Sequence, residues 1–195
     1  MATLIQSKAT LAAAIADAQA VYGFVVAAAP GPHVDAGIEA AFLRLFRSWE
    51  VFLEDVCIGI MVGYPRTDGT TINCVVSFPS EAVAYDVLLQ DRPYLEWGLP
   101  RDIQNRLKAL FPEPCEYFSA LRGTAGDLAH MRTIRNAIAH SSRAAYQRFE
   151  VMLGTRYRPG MRPADHLRSR RRRGRQTNFE HYCAVLAASA TVAVG

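Results

Sequence analysis

The sequence predicts an all-α fold, a helical bundle of about five main helices with an irregular insertion between the second and third. Three observations predict it. Apolar residues recur at alternating spacings of four and three, most clearly Ile38, Phe42, Leu45, Trp49, Phe52, Val56 and Ile60, which is the period of a buried helical stripe. Turn-forming clusters such as Pro30-Gly31-Pro32 and Gly123-Thr124-Ala125-Gly126 punctuate the helical stretches. Strand-like sequence is confined to Thr70–Phe78, TTINCVVSF, and one strand without an evident partner makes no sheet. The chain has 195 residues, 50% of them hydrophobic, enough to bury one full core, so a single domain over residues 1–195 is expected.

The first helix is expected over Ser7–Ala29. Its LAAAIADAQAVYGFVVAAAPG run imitates a signal peptide, but Asp17 and Gln19 interrupt the apolar stretch and Lys8 makes a thin positive region. A packed, Ala-rich helix is expected instead, with no membrane span and a cytoplasmic protein. The second helix, Asp35–Val62, carries a further stripe of Leu43, Phe46, Leu53 and Cys57, which places it centrally in the bundle. Arg44, Arg47, Glu50 and Glu54 form its exposed margin. That margin is either a salt-bridged edge or a means of positioning a reactive arginine through Glu50 or Glu54.

From residue 63 to 99 turn signals dominate (Tyr64-Pro65, Asp68-Gly69, Phe78-Pro79), with one short helix at Glu81–Leu89. Insertions of this length inside compact domains are often functional. Helical sequence resumes over Pro100–Phe111, with Pro in the first turn, and again at Cys115–Leu121. A long helix then starts at Asp127, whose charge opposes the helix dipole favourably, and runs to about Gly154. Residues 155–177, rich in Pro, Gly and Arg, read as a loop. Thr177 or Asn178 caps a last helix, Phe179–Val192, whose Tyr182, Val185, Leu186 and Ser189 return to the bundle.

The chemistry concentrates in Asp127–Glu150, where Arg135, Asn136 and His140 spell R-N-x-x-x-H. On one continuous helix, Met131, Ile134, Ile138, Ala145 and Phe149 fall within an arc of roughly 60° and form the buried side. Arg132, Asn136, His140 and Arg143 share the opposite face, with Arg135 at its margin. Guanidinium supplies a permanent charge and a planar donor fork for phosphate oxygens, and imidazole exchanges a proton near neutrality. Arg135 and His140 lie about 140° apart on an ideal helix, so they straddle a ligand or the helix loosens between them. A second copy across a twofold axis would close such a site.

The net charge is +4. Six arginines crowd into the eight residues Arg168–Arg175, so basicity is local and not spread over the surface. Such a run calls for an anion, with RNA backbone the obvious one, or serves as a solvated tail. Cys57, Cys74, Cys115 and Cys183 are scattered, without C-x-x-C or a companion histidine at zinc spacing. They read as reduced, mostly buried thiols, and neither a metal site nor a cofactor is expected. His33, His130, His166 and His181 form no cluster in the sequence.

The R-N-x-x-x-H motif in its helical setting resembles the HEPN superfamily of all-helical domains. Phe42–Val56, Arg92–Phe111 and Phe118–His140 are similar to its RiboL-PSP-HEPN branch, found beside RNA-processing and phage-defence genes. The resemblance implies a metal-independent RNA endonuclease working as a homodimer with a composite site, in a toxin or antiviral setting, restrained by an inhibitory partner protein. By residue, it implies that Arg135 holds the scissile phosphate, that His140 acts as general acid or base on the 2′-OH or the leaving oxygen, and that Asn136 supports that geometry. Arg132, Arg143, Glu50, Arg170, Arg171 and Arg172 are expected around the substrate. Some members place a tyrosine two positions after the histidine as a modification target; this chain has Ser142. The alternative keeps the fold and drops the chemistry, leaving a non-catalytic adaptor that binds RNA or protein.

Overall fold

The structure, a computed structural model, describes residues 3–29, 31–90, 95–97, 105, 107–111, 115–140, 142–171 and 175–195. It is all-helical, with no named strand among these residues. Eight α-helices are described: α1 Leu4–Val26, α2 Pro32–Met61, α3 Glu81–Leu89, α4 Glu116–Gly123, α5 Ala125–Ala139, α6 Arg143–Leu153, α7 Pro163–Arg168 and α8 Asn178–Val194. The count of about five is therefore too low. A break inside one expected helix and a short helix inside an expected loop account for part of the difference, as described below.

The first helix starts where Thr3 and Gln6 close a capping box, Gln6 Oε1 accepting from the Thr3 N–H at 2.8 Å and Thr3 Oγ1 from the Gln6 N–H at 3.3 Å. Leu4, Ser7, Leu11, Ile15, Ala18 and Tyr22 are buried, a stripe at alternating spacings that lies against α2 and α8. Among the described residues α1 is the helix long and apolar enough to cross a membrane by length and composition. Glycines in α2 permit its close approach. A Cβ on Gly59 would stand 2.7 Å from Leu4 Cδ2, and one on Gly37 would stand 2.9 Å from Val25 Cγ2.

Around α2 the rest assembles, as its two apolar stripes require. Phe42, Leu45, Phe46, Trp49, Phe52, Leu53, Val56 and Cys57 are all buried, and one hydrophobic cluster runs from Leu4 to Val194. The helices α1, α3, α5, α7 and α8 all touch it. Tyr117 of α4 donates its hydroxyl to the Leu53 carbonyl at 3.1 Å, so its polar tip is satisfied inside the core. Trp49 is the exception, because among the described residues its buried indole N–H has no hydrogen-bond partner. Removing an unsatisfied donor offsets part of the volume lost on truncation. Trp49→Phe is therefore expected to cost no more than about 1 kcal/mol in a urea melt, well below the usual loss for shrinking a buried aromatic.

Between α2 and α3 the chain is irregular, as expected, and held by specific bonds. The Arg66 N–H donates to the Thr70 carbonyl at 2.7 Å, and the Thr67 N–H to the Val194 carbonyl at the end of α8 at 3.1 Å. Arg66 Nη1 lies 3.5 Å from Glu116. Tyr64 donates to Glu81 at 2.7 Å, fixing the start of α3, which Ser80 caps through the Val83 N–H. The short helix falls at Glu81–Leu89 as read from the sequence. Half of the helix expected at Pro100–Phe111 lies outside the described residues; of the rest, Leu107 and Phe111 are buried. The four cysteines are unbonded, with Cys57, Cys115 and Cys183 buried and Cys74 half-buried.

Residues 155–177 are not a plain loop. After a 3₁₀ turn at Gly154–Arg156, α7 begins with Pro163 in its first turn, and Asp165 accepts from the Arg162 N–H at 2.9 Å. Ala164, His166 and Leu167 are buried, and the flanking arginines are tied to α2: Arg162 reaches Asp35 at 3.0 Å and Arg168 reaches it at 2.9 Å. A six-residue helix is too short to show a period against a Pro/Arg-rich background. Thr177 then caps α8 in a capping box with Glu180, as expected.

His166 has a measurable consequence. Its ring sits 3% exposed between Phe149 and Tyr182, with Nε2 3.3 Å from the Tyr182 hydroxyl. Burial, aided by the charges of Arg156 and other basic groups, lowers its pKa from 6.5 to about 4. The folded state then refuses a proton that the unfolded chain accepts. Its contribution is complete above pH 6.5 and is lost as pH falls towards 4, on the order of 3 kcal/mol in all. Denaturant melts between pH 7 and 4 should show this slope, and His166→Phe should flatten it.

Candidate functional site

The motif does not lie on one helix, which corrects the reading of Asp127–Gly154 as continuous. The fifth helix ends at Ala139, and His140 is its C-cap, in extended conformation with φ −122° and ψ 114°. Ser142 then accepts from the Ala145 N–H at 3.2 Å and starts α6. A serine side chain offering the backbone a local acceptor is the physical reason, since it caps a new helix in place of prolonging the old one. The two helices pack against each other as a hairpin. Met131, Ile134, Ala145 and Phe149 are buried and Ile138 half-buried, so the apolar side was assigned correctly but belongs to two helices.

This break changes what the motif residues can do. Arg135 is half-buried on α5, and its Nη1 donates to Asn136 Oδ1 at 3.0 Å. Among the described residues no carboxylate lies within ion-pairing distance of it. The extended backbone at His140 carries the ring off the helical track, so the loosening between Arg135 and His140 that an ideal helix would need is present. His140 is exposed, and its N–H donates to the Asn136 carbonyl at 3.0 Å. One turn further, α6 has Arg143 and no acid in its first turn. A helix N-terminus with a cation there is a positive corner that favours an anion.

Other residues expected near the substrate are placed differently. Arg132 turns to Glu96, with Nε at 2.9 Å and Nη2 at 2.6 Å from Oε1. Trp97 next door donates its indole N–H to Glu54 at 2.6 Å. Residues 95–97 thus strap α5 to α2, and burial raises the Glu54 pKa while the Trp97 donor lowers it. Glu50 lies 3.8 Å from Arg47 on α2. Arg170 and Arg171 sit elsewhere. Arg171 approaches Asp127, in the first turn of α5, at 3.9 Å, and the thirteen residues from there to His140 span about 20 Å of helix. Arg172 lies outside the described residues.

Tertiary structure adds residues that the sequence reading left unassigned. Arg156, Arg158, His166, Asn178 and His181 join Arg170 and Arg171 around one cavity, and His181 Nε2 lies 3.0 Å from Asp127. The histidines scattered in sequence are in part gathered in space. Among the described residues no three His, Cys, Asp or Glu side chains are grouped so as to hold a metal ion.

In comparisons with known proteins, no family matches the chain, and neither a curated protein nor a solved structure does.

Proposed function

We propose that the protein is a metal-independent endoribonuclease of the HEPN type, acting on RNA as a homodimer whose composite site pairs Arg135 and His140 of both copies. The observation that carries this reading is the corner between α5 and α6. A guanidinium held by Asn136, with no carboxylate partner among the described residues, and an exposed imidazole released from the helix leave both groups available to a phosphodiester.

In the reaction, the imidazole of one copy takes the proton from the 2′-OH, the freed oxygen attacks the adjacent phosphorus, and the bond to the 5′-oxygen breaks. The second copy's imidazole, protonated, gives that oxygen its proton. Arg135 and the positive start of α6 meet the charge that grows on the phosphoryl oxygens. Fragments then end in a 2′,3′-cyclic phosphate and begin with a 5′-OH. Single-stranded or loop RNA fits best, because its 2′-OH can turn into line. We assign it a cytoplasmic toxin or antiviral role with an inhibitory partner protein.

Incubation of the purified protein with mixed RNA in EDTA tests the reading. Cleavage by a species of twice the 21.5 kDa chain mass is expected. A second reading, an RNA- or protein-binding adaptor, draws on the Arg132–Glu96 pair, which withdraws one guanidinium from the site. It predicts salt-sensitive binding with no fragments.

A further inference from the structure

Arginines of the C-terminal third fall into two sets that composition does not separate. Arg162 and Arg168 are neutralised by Asp35 and Asp165 and hold α7 to α2. By contrast, Arg156, Arg158 and Arg170 are exposed and, among the described residues, have no carboxylate within ion-pairing distance, while Arg171 has only Asp127 at 3.9 Å. These four surround a cavity of about 1390 Å³.

The cavity is built and not incidental. A turn presents Arg158, closed by the Met161 N–H donating to the Arg158 carbonyl at 2.9 Å and requiring the positive φ of 83° at Gly160. Asn178, 7% exposed, locks the wall with Nδ2 donating to the His166 carbonyl at 2.8 Å and to Ser169 Oγ at 2.9 Å. Among the described residues the carboxylate that lines the cavity, Asp165, is already matched by Arg168 at 2.5 Å. Four guanidiniums facing one concavity repel one another unless an anion sits between them. The size decides which anion: pockets for drug-sized ligands run to about 1,000 Å³, so this one exceeds what a lone phosphate or a mononucleotide fills.

The geometry points to a second RNA-binding site in this cavity, taking successive phosphates of a single strand on Arg156, Arg158 and Arg170, about 20 Å along α5 from His140. The inference rests on the reading that the protein acts on RNA, and it deepens that reading. A strand held here extends to the corner of α5 and α6, so the cavity selects substrates long enough to reach both. His181, oriented by Asp127 at 3.0 Å, supplies a further donor at the wall.

The test measures binding of a short fluorescein-labelled single-stranded RNA by anisotropy, in EDTA and across a salt series. The full-length His140→Ala chain is used so that no strand is cut, with and without Arg156→Gln, Arg158→Gln and Arg170→Gln together. Circular dichroism checks that these exposed changes leave the fold intact. Each phosphate neutralised on a single strand contributes about 0.7 to the salt slope. The triple variant should therefore flatten the slope by about 2 and bind about a hundredfold more weakly at 0.1 M salt. Equal affinity and slope with and without the three arginines, or no binding by either protein, overturns the site. ATP displacing the RNA as effectively as unlabelled RNA overturns the strand as occupant. Arginine-dependent binding alongside a wild-type protein that cuts nothing upholds the cavity and removes the nuclease reading instead.

Discussion

On the proposed mechanism, His140→Ala and Arg135→Ala are each expected to lower the rate of RNA cleavage by about 10²- to 10⁴-fold, the range that a positioned proton-transfer group contributes, while the far-UV spectrum and melting midpoint are expected to stay at wild-type values. The structural half of this result follows from exposure. His140 is exposed at a helix end, and among the described residues the Arg135 side chain bonds to its neighbour Asn136, so neither truncation opens the core. The chemical half follows from the separate tasks that the proposed mechanism gives the two groups. Arg135→Lys restores charge but not the planar fork that meets two phosphate oxygens, and should recover little activity. Asn136→Ala frees the guanidinium and should act more mildly, chiefly on kcat. Single-turnover rates with saturating RNA in EDTA check all four variants.

Phe149→Ala is expected to cost about 3–5 kcal/mol, the usual loss for a fully buried aromatic, and to lower Tm by on the order of 10 °C in a chain of this size. Phe149 is 0% exposed, with its ring set edge-on to His166 at 6.1 Å and to Tyr146 at 6.3 Å. It joins the α5–α6 hairpin to α7, so the void sits between the motif corner and the arginine-lined cavity. Calorimetry measures the loss. Because the contact partners are themselves well packed, little collapse into the void is expected, and Phe149→Leu should recover roughly half of the loss.

Much of the fold was legible because long stripes average over many residues. The central helix could be read from seven apolar positions, and α3 from the turn signals that precede it. The break at His140 could not be read that way. Ile138 and Ala145 are seven residues apart, two turns, so the apolar rhythm continues across the gap as though the helix did. The informative residue was Ser142, which served in the sequence only to mark a missing tyrosine. In the structure it caps α6. The arginines show a different limit. Arg162 finds Asp35 at a separation of 127 residues, and nothing local distinguishes it from Arg170, which faces the cavity. Pairing over that distance is a property of the folded chain. For the same reason the motif residues and Arg171, joined in the sequence reading as one substrate surface, separate to opposite ends of α5.

The most direct measurement is the chemistry of the cut ends. Wild-type protein, incubated with a defined single-stranded RNA in EDTA, should yield fragments ending in 2′,3′-cyclic phosphate and beginning with 5′-OH, and the His140→Ala protein should yield none. Fragments carrying 3′-OH and 5′-phosphate, fragments formed only after a divalent ion is restored, or the same cyclic ends from His140→Ala would contradict the account.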